Sequence, residues 1–359
     1  MNILFVNATH NWGGVKTWMI DVALGLRDKG HTIFIMGRPG PFTIKTHELG
    51  FHTTISSFGI DFSPFRIAQC MAFCKRHRIN RVVVNTGKDI RTAALAARLL
   101  AIPVIHRVGS YRDMRNTWKV RLTQQYIKPH ILAPCQQIKQ DMPKILPWLD
   151  PGRITVILDG KAIAQKPTPT GTAPFRCIST SQVNADKGIN NVLIILGRLK
   201  QQGIPFRYDV VGTGREVARL KALAADLGIS SEVVWHGFQK DVIPFLRKAD
   251  IFILPSVCSE GLPHAMLEAM AQGLVCIARD VGGVIEGWPQ EPWASPYLLP
   301  LDDEEKMLQS SLAKLLTSTP ETIQDLKQKF FEHAIAHCNL KTHVDLLDEW
   351  IQNLGSTSP

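Results

Sequence analysis

Two carboxylates, Glu260 and Glu268, stand eight residues apart in the run PSVCSEGLPHAMLEAM from Pro255 to Met270. Pro255 and Gly261 punctuate a loop. Pro263 then occupies the first turn of a helix, where proline is best tolerated, ahead of a helix-forming run from His264 to Gln272 that Gly273 closes. Glu260 is therefore expected on the loop and Glu268 one to two turns into the helix, with the unbonded N–H groups of the helix start between them. Carboxylates accept hydrogen bonds from hydroxyls, and a helix start favours an anion. The combination suits a ligand that is both hydroxyl-rich and anionic, such as a sugar nucleotide.

The elements that must position these groups read as alternating strands and helices. Ile251–Leu254, just before the motif, is a short apolar run of the kind buried in a parallel sheet. At the N-terminus, Ile3 to Asn7 reads as a strand, and the glycine turn containing Gly13 and Gly14 leads into a helix ending near Lys29. Thr32 to Met36 is the next strand, a βαβ opening typical of a doubly wound sheet that binds ligands at the carboxyl ends of its strands. Arg81–Asn85, a helix from Thr92 to Leu100, and a strand running from Ile102 into His106 and Arg107 continue the rhythm. A second series follows: strands Phe175–Ser179, Tyr208–Val211 and Val233–Trp235, and helices Ile189–Gln202 and Glu216–Leu227. Gly212 and Gly214 let backbone approach a ligand, but Val217 occupies the third glycine position of a dinucleotide fingerprint. Between the series, residues 159–174 are rich in proline and small polar residues, which reads as an exposed linker. The expected division is 1–160, 161–335, and a C-terminal segment 336–359 whose helix starts near Thr342.

Composition limits the alternatives. With 359 residues, 45% hydrophobic and 20% charged, the chain has the makings of two soluble domains. No apolar run is long enough to span a membrane, and the N-terminus lacks the basic region of a signal peptide. Seven scattered cysteines read as buried thiols in a reducing cytosol, and no metal cluster is visible. Residues 1–160 hold 22 Lys and Arg against 9 Asp and Glu, a balance of +13, whereas the remainder holds 19 against 22, or −3. The first domain therefore expects an anionic partner. Nucleic acid is not supported, since no zinc finger, helix-turn-helix or aromatic RNA motif occurs. An anionic phospholipid surface or a phosphorylated glycolipid fits. The cations Arg107, Arg112, Arg115 and Lys119, followed by Arg121 and Lys128, are interleaved with Tyr111, Trp118, Leu122 and Tyr126. This segment reads either as a surface for membrane or acceptor phosphates, or as a solvated face over a core stripe.

The pattern E-G-x-P-x-x-x-L-E-A-M, continued by Asp280-Val281-Gly282-Gly283-Val284-Ile285-Glu286, resembles the retaining, nucleotide-sugar-dependent glycosyltransferases of the GT-B fold, of the glycosyltransferase family 4 and group 1 type. The resemblance implies an α/β protein with two Rossmann-like domains facing a central cleft and a C-terminal helix crossing back to the first domain. It implies transfer of a sugar from a nucleoside diphosphate sugar to an acceptor hydroxyl with retained configuration, in lipopolysaccharide or surface-glycan synthesis. No metal or cofactor beyond the donor is expected. By the same resemblance Glu268 would receive the ribose hydroxyls, Glu260 would orient the transferred sugar, and Lys187 would carry charge to the diphosphate. His106 would reach the donor sugar from the first domain. Gly13, Gly14, Gly212, Gly214, Phe238, Gly261, Leu262 and Pro263 would line the donor, Phe238 along the base. A lipid-linked or glycan acceptor and a cytoplasmic position, peripheral on the inner membrane face, complete the expectation.

One departure stands out. The family commonly has Gly-Arg shortly before the lysine, with the arginine on the diphosphate; this chain has Ser181-Gln182, a neutral amide. Arg107, Lys88 or Arg215 could supply the missing charge. Two other readings remain open at this point: a sugar-nucleotide epimerase of similar architecture, which lacks the Glu-x7-Glu context, and a non-catalytic sugar-nucleotide or glycan-binding protein, favoured only by Gln182.

Overall fold

A computed structural model describes residues 1–10, 12–110, 113–167, 169–170, 173–258, 260–302 and 304–354. Arg112 and Tyr111, singled out above, lie outside the described residues. The chain forms two compact units, Met1–Asp159 with Leu340–Pro359, and Gly160–Asn339.

The first unit is built on seven parallel strands: β1 Asn2–Asn7, β2 Thr32–Gly37, β3 His52–Ile55, β4 Arg81–Val84, β5 Val104–Arg107, β6 His130–Ala133 and β7 Ile154–Val156. Their spatial order is β3-β2-β1-β4-β5-β6-β7. Side chains alternate across a strand, so β1 feeds two cores at once. Ile3 and Phe5 pack with Trp18, Met19 and Leu26, while Leu4 and Val6 pack with Cys70, Val82 and Ala93 on the other face. The helix Gly14–Asp28 covers the first of these faces, and the terminal helix Leu340–Asn353 lies beside it, contributing Val344, Leu347 and Ile351 to the same core. Polar clamps fix this helix to the unit. Asp348 Oδ1 meets His31 Nε2 at 2.8 Å, Lys29 Nζ meets Asp345 at 2.6 Å, and Arg81 Nε donates to the Ile351 carbonyl at 3.1 Å.

The second unit has six parallel strands: β8 Arg176–Thr180, β9 Arg207–Val211, β10 Val233–Gly237, β11 Ile251–Leu254, β12 Val275–Arg279 and β13 Leu298–Leu299. Their order is β10-β9-β8-β11-β12-β13. Every residue of β11 and β12 is buried, as expected for strands covered by helices on both faces. The linker expectation needs correction. Asp159 and Lys161 are buried, Pro167 is buried, and the Ala164 amide donates to the Ala271 carbonyl at 3.0 Å. Proline and threonine marked a change of unit, but much of the segment is packed against the second unit's own helix. Lys161 bridges to Asn339, so the beginning and the end of this unit lie side by side.

Candidate functional site

In a doubly wound sheet the crevice for a ligand opens where the strand order reverses, at the carboxyl ends of the two central strands. In the second unit that point lies between β8 and β11. The loop after β8 carries Lys187 at the end of a short 3₁₀ turn, Ala185–Lys187, and the loop after β11 carries Glu260. Gly188 is what lets the two loops touch. Its φ is +68°, and a Cβ there would fall 2.0 Å from the Pro255 carbonyl oxygen, so no side chain fits. The Val257 amide donates to the Asp186 carbonyl at 2.9 Å and locks the approach.

Lys187 Nζ consequently reaches Glu260 Oε1 at 2.6 Å, and Ser256 Oγ donates to the same oxygen at 2.7 Å. The pair is partly open, with side-chain exposures of 21% and 18%. Burial disfavours the Lys187 ammonium, but the field of the Glu260 carboxylate and its hydrogen bond outweigh this and hold the pKa above the ordinary lysine value. A charged lysine and a carboxylate thus stand together at the switch point.

Glu268 sits on the helix His264–Ala271, which begins directly after Pro263. Its Oε1 meets Lys161 Nζ at 2.9 Å; Lys161 is buried, while Glu268 keeps 15% of its side chain open. Nothing in the local sequence marks Lys161 as the partner of Glu268 or Ser256 as that of Glu260. Lys161 approaches from the start of the unit, remote in sequence, so no local pattern announced it. Gly261 and Pro263 lie on the loop leading into the helix, and the loop backbone is fixed by the Gly283 amide, which donates to the carbonyls of Glu260 and Gly261 at 3.1 and 3.0 Å. Leu262 is 4% exposed and its side chain lies against Gly287, so it anchors the loop whose backbone N–H groups are expected at the donor.

Gly212 and Gly214 follow β9. A Cβ on Gly212, whose φ is +146°, would lie 1.8 Å from the Ser181 carbonyl oxygen, and one on Gly214 2.1 Å from that of Val183. Their side chains are absent to admit the neighbouring loop of the protein itself, a different reason from the ligand approach expected. That loop contains Gln182, exposed, whose Oε1 accepts from Asn184 Nδ2 at 3.2 Å. Asn184 Oδ1 in turn accepts from the Arg215 amide at 3.3 Å, which places Arg215 in the same loop cluster. Phe238, 51% exposed, follows Gly237 at the end of β10, where His236 Nε2 bonds Asp209 Oδ1 at 2.6 Å.

In the first unit the reversal lies between β1 and β4. Gly13 caps the helix after β1 in extended conformation, Gly14 opens that helix, and both are exposed; nothing lies within 4 Å of a Cβ placed on Gly13. His106 and Arg107 need correction. His106 is 2% exposed, its Nδ1 accepts from Gln124 Nε2 at 3.1 Å and its Nε2 faces the Asn85 carbonyl at 3.4 Å. Burial lowers its pKa to about 4, so it is neutral, with both ring nitrogens engaged by the protein. Arg107 is 3% exposed, pairs with buried Asp159 at 2.7 Å and lies over the Trp18 ring at 4.5 Å. It is therefore a core ion pair and not a surface cation. Lys88 is likewise committed, to Asp61 at 2.7 Å. Arg115 and Lys119 are exposed. Among the described residues no group of His, Cys, Asp and Glu is arranged to hold a metal, and no helix is long and apolar enough to cross a membrane.

Comparisons with known proteins follow the same division. Residues 12–160 match the family described as Glycosyltransferase Family 4, and residues 162–291 match Glycosyl transferases group 1. The amylovoran biosynthesis glycosyltransferase AmsK of Erwinia amylovora is 36% identical over 120 residues, 32% of this chain and 30% of that one. A UDP-Gal:alpha-D-GlcNAc-diphosphoundecaprenol alpha-1,3-galactosyltransferase of Escherichia coli is 23% identical over 237 residues, 58% of this chain and 60% of that one. This chain thus spans less than two thirds of the length of either relative. The Anabaena protein Alr3699/HepE, solved in complex with UDP-glucose, has the same fold, with a TM-score of 0.80 over 99% of this chain and 100% of that one at 17% identity.

Proposed function

Because the chain belongs to the glycosyltransferases of the GT-B fold, we propose that it moves a sugar from a nucleoside diphosphate sugar to an acceptor hydroxyl with retained configuration. The observation that carries this reading is the Lys187–Glu260 pair at 2.6 Å, at the switch point and one loop away from Glu268 on its helix. Glu268, oriented by Lys161, accepts the ribose hydroxyls. Glu260 orients the transferred sugar through its ring hydroxyls. Lys187 and the start of the helix His264–Ala271 meet the diphosphate.

The reaction breaks the bond between the anomeric carbon and the diphosphate oxygen and forms one from that carbon to the acceptor oxygen on the same face. The acceptor proton leaves with the diphosphate. Negative charge grows on the departing oxygen as the bond stretches, so a fixed ammonium nearby stabilises the transition state more than the bound donor. With Gln182 neutral, this falls on Lys187, and Arg215, whose amide donates to the Asn184 side chain beside Gln182, is a further cation of the same loop cluster. The acceptor is a lipid-linked or lipopolysaccharide-type glycan at the inner face of a membrane. The name of the Escherichia coli relative, which specifies a diphosphoundecaprenol acceptor, supports that class.

The test is turnover. Purified protein is incubated with UDP-, GDP-, ADP- and CDP-sugars and a lipid-diphosphate-linked glycan, and release of nucleoside diphosphate is followed. Transfer with one donor, lost in Lys187→Ala, supports the reading. A donor that binds but never turns over supports the second reading, a sugar-nucleotide-binding protein, which the amide at Gln182 favours.

A further inference from the structure

The helix Trp118–Ile127 of the first unit is inside out. Its inward side carries Thr123, Gln124 and Ile127, all buried, and Gln124 is hydrogen-bonded to His106. Its outward side carries Trp118, Leu122 and Tyr126, one turn apart and 70%, 56% and 50% exposed. A helix resting on a protein core turns its largest apolar groups inward; this one turns them to solvent. The surroundings of the stripe are cationic. Arg115, Lys119, Arg121 and Lys128 are exposed, Lys119 Nζ lies 5.7 Å from the Trp118 ring, and no Asp or Glu occurs between Asp113 and Asp141.

A second apolar projection is braced on the same part of the fold. Ile60 and Phe65 are 78% and 65% exposed. The acid between them, Asp61, is neutralised by Lys88 at 2.7 Å and Arg91 at 2.6 Å, which hold its carboxyl below the ordinary range despite partial burial. Arg91 belongs to the segment Ile90–Ala94, which packs against the helix Trp118–Ile127.

We propose that this face of the first unit docks on an anionic bilayer. Trp118, Leu122 and Tyr126 enter the boundary between headgroups and acyl chains, and Arg115, Lys119, Arg121 and Lys128 meet lipid phosphates. Charge complementarity selects this occupant: an apolar stripe flanked by exposed cations, in a segment with no acid between Asp113 and Asp141, matches a surface that is apolar within and anionic at its rim. The inference deepens the proposed function and takes from it only the reason for being at a membrane, because docking requires neither donor nor acceptor.

The full chain is sedimented with phosphatidylcholine vesicles with and without phosphatidylglycerol. Binding is expected only with the anionic lipid and should weaken as salt is added. Replacing Arg115, Lys119 and Arg121 by Gln should lower partitioning roughly 100-fold, each cation contributing about fivefold near such a surface. Replacing Trp118, Leu122 and Tyr126 by Ser should lower it by about tenfold or more through lost apolar burial, and Ile60→Ser with Phe65→Ser should have a smaller effect. These side chains are exposed, so the melting temperature should stay that of the wild type. Independently of any variant's folding, lipids brominated on the acyl chain should quench tryptophan emission of the wild type, and Trp118→Phe should abolish that component. Equal binding to neutral and anionic vesicles, no quenching, or an apolar variant that binds as tightly as the wild type overturns the proposal. So does a wild-type dimer that the apolar variant makes monomeric without any vesicle binding, since the face would then be covered by a second copy. Vesicle binding without sugar transfer would count against the proposed reaction alone, and transfer without vesicle binding against the docking face alone.

Discussion

The two strand-order reversals are built alike and filled differently. In the second unit the loops after β8 and β11 bring Lys187 and Glu260 together with about a fifth of each side chain open. In the first unit, β5, the strand beyond the reversal, ends in His106 and Arg107, both almost fully buried and both bonded to the protein. Yet the first half of the chain carries the balance of +13 and the second −3. Net charge describes the outer surface of a unit, whereas a site depends on which charges the fold leaves paired but reachable. The first unit spends Arg107 on internal cohesion with Asp159, and presents its cations instead around the exposed stripe of Trp118, Leu122 and Tyr126.

If this contrast holds, substitutions at the two places should fail in different ways. The largest effect is expected from Arg107→Ala, which breaks the buried ion pair with Asp159 and removes the guanidinium from the Trp18 ring. Breaking such a pair costs about 3–5 kcal/mol, to be read as a lower denaturation midpoint. A midpoint within error of the wild type would return Arg107 to the list of available cations. Lys187→Ala should leave the fold intact and lower kcat by about 10²–10³, equivalent to ~2.7–4 kcal/mol, with a smaller change in donor affinity. Gln182→Arg should restore part of that loss. Unchanged kcat in Lys187→Ala would show that another cation holds the diphosphate.

Smaller again is Lys161→Met, which frees Glu268 from its clamp. A hydrogen bond to a charged group is worth about 1.5–3 kcal/mol, and part of this should appear as weaker nucleoside diphosphate binding by calorimetry, with Lys161→Arg retaining more than Met. Equal affinity in all three proteins would make Lys161 purely structural. The smallest effect concerns His106. Its folded pKa of about 4 lies below the unfolded value near 6.5, so the unfolded chain binds more protons between these limits. The stability it contributes is complete above pH 6.5 and is lost as pH falls toward 4. His106→Phe should flatten that part of the stability profile, and an unaltered slope would mean that the ring is not held neutral by burial.

Much of this fold could be read from apolar runs. β1, β2, β4 and β11 are largely apolar runs with nearly every residue buried, and such runs declare themselves; β5, β8, β9 and the half-exposed edge strand β10 show shorter apolar stretches between helices. β3, β6, β7, β12 and β13 did not: β3, β7 and β13 are short, half-exposed edge strands, β13 of only two residues, and the buried β6 and β12 are runs of only four and five residues. The site was legible where its parts are local, as in the loop and helix that carry Glu260 and Glu268. It was not legible where a partner arrives from elsewhere in the chain: Lys161 on Glu268, Gln124 on His106 and Asp159 on Arg107 are tertiary pairs. The segment from Arg107 to Lys128 left a membrane surface and a core stripe equally open in sequence. The structure places Ile127 inward and Trp118, Leu122 and Tyr126 outward, a distinction that mixed spacing in ten residues could not make.

The central claim, that the second unit holds a nucleoside diphosphate with its ribose on Glu268, is tested most directly by one binding cycle. The nucleoside diphosphate that binds tightest and its 2′,3′-dideoxy analogue are each titrated into the wild type and into Glu268→Ala. The account predicts that the wild type prefers the ribose form by about 1.5–3 kcal/mol, roughly 10- to 150-fold, and that Glu268→Ala binds the two forms alike. A ribose preference of the same size in Glu268→Ala would contradict it.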